Sequence, residues 1–157
     1  MPFRGLALLV SALFLAACAS GEQTQQQAAA DAPATQEAGT IAGARITGQT
    51  HTVRMLGDER GYRYDPVNLT IRQGDGVRFI MVSTPPHNVE FRSGQIPAGA
   101  EAQLAVNMEN AVGMMGPMML AQDEEYTISF ANVPPGVYNY VCTPHEAMDM
   151  RGVITVQ

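Results

Sequence analysis

The sequence predicts an all-β fold, namely a β-sandwich with Greek-key connections, seven to eight strands and room for one short helix. Two observations lead to this prediction. From about Ile46 to the end of the chain, short runs rich in β-branched and aromatic residues alternate with turns that contain glycine and proline. No run keeps a helical period over several turns, and this number of short strands in a segment of this length is typical of a sandwich.

The predicted strands follow one another at short intervals. Residues 72–76 (RQGDG) and 132–137 (NVPPGV) carry the turn-forming residues that separate neighbouring strands. Residues 94–125 are the least strand-like part of the segment, so a short helix fits best there. The strands are predicted at residues 51–56, 67–72, 77–82, 88–91, 126–131, 137–142 and 153–156.

The first 17 residues, MPFRGLALLVSALFLAA, indicate an export signal, because an early arginine precedes an apolar run and small residues. The run is too short for a stable membrane span. The tetrapeptide LAAC, which ends at Cys18, resembles a bacterial lipobox, in which the cysteine becomes the lipidated first residue. The alternative is an ordinary signal peptide cut near Ala17 or Ala19. We expect a lipid anchor at Cys18 that holds an exported protein at the outer face of the cytoplasmic membrane, in the periplasm or cell envelope.

The composition divides the remaining chain into a linker and one domain. Residues 18–45 are mostly Gln, Ala, Thr, Gly and Glu, which cannot offset the entropy of ordering, so they predict a flexible linker after the lipidated cysteine. Residues 46–157 form the predicted domain, which we expect to be monomeric. The formal net charge is −6 and no lysine is present, which argues against nucleic-acid binding.

The segment YVCTPHEAMDM, residues 140–150, places a thiol, an imidazole and two thioethers close together. If Cys18 carries lipid, Cys142 has no partner for a disulfide, and a bound metal would protect this exported thiol. A structural zinc site would need more cysteine or histidine ligands than the chain offers. A Cys–His nucleophile is disfavoured because Cys142 closes a predicted strand and nothing near it has the pattern of an orienting acid or an oxyanion pocket. The remaining chemistry is a blue-copper site with two histidines, one cysteine and a weak axial thioether, for which His87 is the candidate second histidine.

Three segments of the chain are similar to the cupredoxin family, in its plastocyanin-like branch. They are YDPVNLTIRQGDGVRFI, PPHNVEF and YNYVCTPHEAMDMRGVITVQ, which lie within residues 50–157. The resemblance implies one type 1 copper ion. It also implies that Asn88 ties the two ligand loops together and hydrogen-bonds the cysteine sulfur. Val141 replaces the exposed tyrosine that plant plastocyanins use for docking. The copper ligands that the resemblance implies are His87, Cys142, His145 and Met150.

The axial ligand has two candidates, because cupredoxin ligand loops occur with either C-x₂-H-x₂-M or C-x₂-H-x₄-M spacing. Met148 and Met150 would face the same way in an extended segment, so strand parity does not separate them. The choice of Met148 would insert two residues before the turn at Gly152 and would place the Asp149 carboxylate at an apolar rim. The sequence therefore favours Met150.

We expect an electron carrier that shuttles single electrons and is not an enzyme. The expected partners are redox proteins such as a cytochrome or a membrane oxidase or reductase, and His145 is the expected exit for the electron. One alternative is a Cu(I) carrier or storage protein, and another is a fixed redox subunit of an oxidase or reductase complex. His51 is expected to be a solvated histidine at a sheet edge. The carrier alternative would use a methionine cluster formed by Met114, Met115, Met118 and Met119.

Overall fold

The computed structural model describes residues 41–157 and contains two packed β-sheets. The predicted signal and most of the predicted linker, including Cys18, lie outside the described residues. Within them, no helix has both the length and the apolar character that a membrane crossing needs. The strands are β1 Thr50–Asp58, β2 Gly61–Asp65, β3 Asn68–Ile71, β4 Gly76–Met81, β5 Glu90–Phe91, β6 Glu125–Ser129, β7 Gly136–Val141 and β8 Arg151–Val156; the helices are α1 Glu101–Asn107 and the 3₁₀ segment Thr143–Met148.

Each sheet contains four strands. The strand orders are β2-β1-β4-β6 and β3-β8-β7-β5. β1 pairs in parallel with β4, and β3 pairs in parallel with β8, whereas the other pairs are antiparallel. The connections from β2 to β3 and from β3 to β4 therefore cross between the sheets. The predicted all-β Greek-key sandwich is confirmed.

The core lies between the two sheets and is rich in aromatic rings. Alternate residues of β4 point inward, as the pleat of a strand requires. Tyr140 lies at the centre of the aromatic cluster, with ring centroids 4.6 Å from Tyr64, 5.5 Å from Phe79 and 5.6 Å from Phe91. Tyr140 precedes Cys142 by two residues, and both residues belong to the same buried core cluster.

Two strand predictions differ from the structure. β2 was not predicted, because its sequence, GYRYD, contains a glycine and a charged residue and is followed by Pro66, a pattern more typical of a turn than of a strand. Its tyrosines at alternate positions are the signal that could have revealed it. β5 is shorter than predicted and contains only Glu90 and Phe91, because the residues before it pair with a loop segment and not with a full strand.

That loop segment contains the methionine cluster. The backbone of residues 114–119 runs antiparallel to residues 87–91, with hydrogen bonds of 2.8 and 3.1 Å between Met119 and His87 and of 3.0 Å from Phe91 N–H to Met114 carbonyl. Met119 is buried, and Met114 packs against the core. The long stretch before β6 therefore contains the short helix that was expected and then returns to support the His87 segment.

Helix α1 is held at its end by a buried amide. The Asn107 side chain donates to the carbonyls of Ser129 and Ala131 at 3.0 and 2.9 Å and accepts from Ala44 N–H at 2.7 Å. Ala44, which precedes the predicted start of the domain at Ile46, thus already contacts the domain. These bonds join the start of the described residues, the helix and the end of β6.

The prediction for His51 is wrong in part. It lies where β1 has no neighbour on one side, but it is half-buried, and its Nε2 lies 2.9 Å from the Asp75 carboxylate. Asp75 also accepts hydrogen bonds from the backbone N–H groups of Gln49 and Arg72, at 2.8 and 3.0 Å. The first of these backbone bonds and the His51 bond tie the RQGDG turn to the start of β1.

Candidate metal centre

Three side chains converge at one end of the sandwich. His87 lies in the loop between β4 and β5, Cys142 follows β7, and His145 lies in the 3₁₀ segment between β7 and β8. The Cys142 Sγ atom is 3.6 Å from His87 Nδ1 and 3.5 Å from His145 Nδ1, and the two Nδ1 atoms are 3.2 Å apart. All three residues are buried. Residues 55 positions apart in sequence thus form one compact triangle of donor atoms.

The orientation of the His87 ring is fixed by a hydrogen bond of Nε2, the ring nitrogen that faces away from the cysteine. Its Nε2 lies 2.9 Å from the carbonyl oxygen of Ser83. Because a carbonyl can only accept, Nε2 carries the proton, and the Nδ1 lone pair faces the cysteine. Burial lowers the pKa of His87, which favours the neutral form that a metal ligand must have.

The His145 ring is covered by an aromatic side chain. Its ring centroid lies 3.7 Å from that of Tyr62, at an interplanar angle of 13°. Burial, together with the nearby His87, lowers the pKa of His145. His145 is only 6% exposed, so this expected exit residue lies beneath its neighbours and not on the open surface of the loop.

Cys142 is a free and fully buried thiol. Burial raises the pKa of this thiol, while the backbone N–H groups of Asn88 and His145 act in the opposite direction. These nearby N–H groups favour the thiolate form, although the hydrogen bond of the His145 N–H itself goes to the backbone carbonyl of Cys142 at 3.1 Å. The sulfur is therefore buried, and the backbone groups near it favour its negative charge.

These residues fit a copper ion. A point equidistant from the three donor atoms lies about 2 Å from each, which is close to the bonding distance of metal sites with nitrogen and sulfur ligands. Two imidazoles and a thiolate in a trigonal arrangement, without a carboxylate among them, form the donor set of a blue-copper centre. The convergence of His87 with the Cys142 loop agrees with the expectation from the sequence.

The two candidate thioethers are in different environments. Met150 is fully buried in the same cluster as Cys142, and its backbone bonds to Cys142 N–H at 3.0 Å and to His145 carbonyl at 3.2 Å. Met148 is 49% exposed. The segment before Met150 is a 3₁₀ turn that ends at Asp149 in the left-handed region. The two methionines therefore do not face the same way, as they would in an extended strand.

Asn88 joins the two loops through its side chain. Its Oδ1 accepts from Thr143 N–H at 2.8 Å, and its Nδ2 donates to Thr143 Oγ1 at 3.0 Å. Its backbone carbonyl accepts from the Tyr64 hydroxyl at 2.6 Å. The expected tie between the loops is present, but among residues 41–157 the Asn88 side chain makes its hydrogen bonds to Thr143 and none to the Cys142 sulfur.

Two further features of the site were not predicted from the sequence. One is the Tyr62 ring on His145, and it was missed because β2 was missed. The other is an ion-pair network, in which Arg92 contacts both carboxylate oxygens of Glu146 at 2.8 and 2.7 Å and also contacts Glu90 at 3.0 Å. This network attaches the ligand loop to β5. Opposite charges on the two segments were the only sequence signal for it.

Comparison with known proteins agrees with this geometry. A family model described as copper binding proteins, plastocyanin/azurin family, matches residues 51–157. The chain belongs to this family. Plastocyanin from Synechococcus sp. (strain JA-2-3B'a(2-13)) is 37% identical over 108 residues, which cover 69% of this chain and 74% of that protein. Plastocyanin from Scenedesmus fuscus is 32% identical over 68% of this chain and 98% of that protein.

Solved structures of cupredoxins share the fold. Oxidised plastocyanin from Dryopteris crassirhizoma superposes with a TM-score of 0.50 at 28% identity, covering 68% of this chain and all of that chain (100%). An oxidised methionine-to-lysine mutant of amicyanin gives a TM-score of 0.51 at 27% identity, over 69% of this chain and 82% of that chain. The predicted cupredoxin identity is confirmed, and this family member is a type 1 copper electron-transfer protein that binds one copper ion.

Proposed function

We propose that this protein holds its copper through His87, Cys142 and His145, with Met150 as the axial ligand, and carries single electrons between redox proteins at a membrane surface. The observation that carries the proposal is the triangle of donor atoms with sides of 3.2, 3.5 and 3.6 Å. The burial of Met150 and the exposure of Met148 support the longer ligand spacing.

The residues around the donors suit electron transfer because they resist rearrangement. When bound, copper supplies a one-electron couple between Cu(II) and Cu(I). Ser83 holds the His87 ring, Asn88 ties the cysteine loop to the histidine loop, and the aromatic core supports Cys142. Donors that stay in place in both oxidation states keep the reorganisation energy small. The protein thus acts as a carrier, without a reaction of its own.

The partner proteins are exported redox proteins, and a cytochrome or a membrane oxidase or reductase meets this description.

We propose lipidation at Cys18, after removal of residues 1–17, with residues 18–45 as a linker to the domain. A flexible linker of this length has a root-mean-square reach of roughly 25–30 Å. The domain could then meet partners in the same membrane without leaving it. One acyl chain binds only marginally, so stable anchoring requires more than one chain at the cysteine. Mass spectrometry that found an unmodified mature terminus would refute this anchor.

The alternative function is a Cu(I) carrier that uses the methionine cluster. Two of its members serve the fold, since Met119 is buried and Met114 packs against the core. A carrier must give up its copper, whereas an electron carrier must retain it while it cycles. The test compares copper loss to a Cu(I) chelator with electron exchange with a cytochrome. We expect electron exchange to be much faster, and the opposite order would favour the carrier.

A further inference from the structure

The stack of Tyr62 on His145 is held in place by the neighbouring strand. Tyr62 on β2 lies directly opposite Gly57 on β1. A Cβ atom at Gly57 would lie 2.8 Å from Tyr62 Cε1 and 2.7 Å from Thr84 Cβ. These distances are too short for any side chain other than hydrogen, so the glycine leaves the space in which the tyrosine ring lies.

The same segment supports the other histidine. Ser83 donates its hydroxyl to the carbonyl of Gly57 at 3.1 Å and accepts from Gly57 N–H at 3.2 Å. The carbonyl of Ser83 accepts the Nε2 proton of His87. β1 and its neighbouring loop therefore set the position of one histidine by a hydrogen bond and the position of the other through the Tyr62 ring.

The two histidines differ in how they are held. The Nε2 atom of His87 has a carbonyl partner, whereas the hydrogen bonds found among residues 41–157 include none to Nε2 of His145. A ring without such a bond can rotate about its χ2 angle, which is a broad torsion. The parallel face of Tyr62, at a centroid distance of 3.7 Å, restricts that rotation.

We propose that Tyr62 is a positioning residue of the metal centre, which holds the His145 imidazole in its ligating orientation before and after the metal binds. The inference rests on the proposed ligand set. The aromatic ring of Tyr62, and not its phenolic hydroxyl, restricts the rotation of the His145 imidazole. Tyr62→Phe should therefore behave like the wild type, and Tyr62→Leu should release the histidine.

The test measures the rate at which the reduced, copper-loaded full chain loses Cu(I) to a chelator. Tyr62→Leu should lose copper about 2- to 12-fold faster, which corresponds to the ~0.5–1.5 kcal/mol of an aromatic pair. Tyr62→Phe should keep the wild-type rate. Tyr138→Leu is the matched control, because Tyr138 is a buried aromatic residue whose hydroxyl bonds to Pro134 and which takes no part in the site. It should lower stability without changing copper loss.

A second measurement uses the copper-free chain. The ring protons of His145 should show upfield NMR shifts from the Tyr62 ring in the wild type and in Tyr62→Phe, and these shifts should disappear in Tyr62→Leu. Gly57→Ala should reduce them without changing the ring itself. The proposal is overturned if Tyr62→Leu matches the wild type, if Tyr62→Phe behaves like Tyr62→Leu, or if Tyr138→Leu loses copper as fast. A wild type without the blue-copper spectrum would instead refute the proposed function.

Discussion

The tie between the two ligand loops can be tested by removing one side chain. Asn88→Ala deletes the acceptor of Thr143 N–H and the donor to Thr143 Oγ1. The Tyr64 bond is kept, since it is made to the backbone carbonyl of Asn88. Thr143 Oγ1 also keeps its bond to the Glu90 carboxylate at 2.9 Å. The substitution therefore leaves one backbone N–H without its partner and opens a small cavity at a fully buried position.

The cost follows from these losses. A hydrogen bond contributes about 1 kcal/mol, a partly buried N–H left without a partner adds to that loss, and the cavity at the fully buried Asn88 position adds further, up to about 1–3 kcal/mol together. We expect Asn88→Ala to lower the free energy of unfolding of the copper-free protein by about 2–4 kcal/mol. Asn139→Ala is the matched control, because its amide makes one exposed bond, to the Gln95 carbonyl at 3.1 Å. It should cost no more than about 1 kcal/mol.

Urea unfolding followed by far-ultraviolet circular dichroism measures both values. The slope of free energy against urea concentration should stay the same in the variants, so that the midpoints can be compared. If Asn88→Ala proves no more costly than Asn139→Ala, the side-chain bonds to Thr143 do not hold the loops together.

Two other predictions concern the turn before β4 and the axial ligand. The N–H of Arg72 and the His51 side chain lower the pKa of Asp75 to about 2. The carboxylate therefore contributes stability above its ordinary pKa near 4, on the order of 1–2 kcal/mol, and loses it as the pH falls towards 2. Between about pH 4 and pH 2, the free energy of unfolding should fall less steeply for Asp75→Asn than for the wild type. Equal slopes against pH would contradict this role of Asp75. Met150→Leu should keep copper and colour but raise the reduction potential, because it removes a donor that favours Cu(II). Met148→Leu should have little effect, and the reverse pattern in voltammetry would support the shorter spacing.

The donor segment was predictable because its residues are local in sequence. Cys142, His145 and Met150 lie on one loop, so their spacing alone predicts a soft metal site. His87 could be named as the second histidine because the donor set needs one and the family resemblance agrees, but its distance from the loop could not be predicted, since the fold brings together residues 55 positions apart. The burial that separates Met150 from Met148 depends on the 3₁₀ turn, which no period in the sequence indicated.

The residues that support the site from outside the ligand loop could not be predicted, because their contacts join segments that are distant in sequence. The stack of Tyr62 depends on the register that places it opposite Gly57, and register is a property of two strands together. The methionine cluster looked like a separate feature, but its backbone pairs with the His87 segment. His51 looked solvated because its partner, Asp75, lies in a turn 24 residues away.

The most direct test of the copper assignment is the visible absorption spectrum of the copper-loaded protein, compared with that of Cys142→Ser. Cys142 is a free thiol whose sulfur forms one corner of the donor triangle, and charge transfer from its thiolate to Cu(II) would be the source of the colour. We expect one copper ion for each chain and an intense colour in the oxidised wild type, which disappears in Cys142→Ser while the protein stays folded. A colourless Cu(II) complex of the wild type, or colour that survives the substitution, would contradict the assignment.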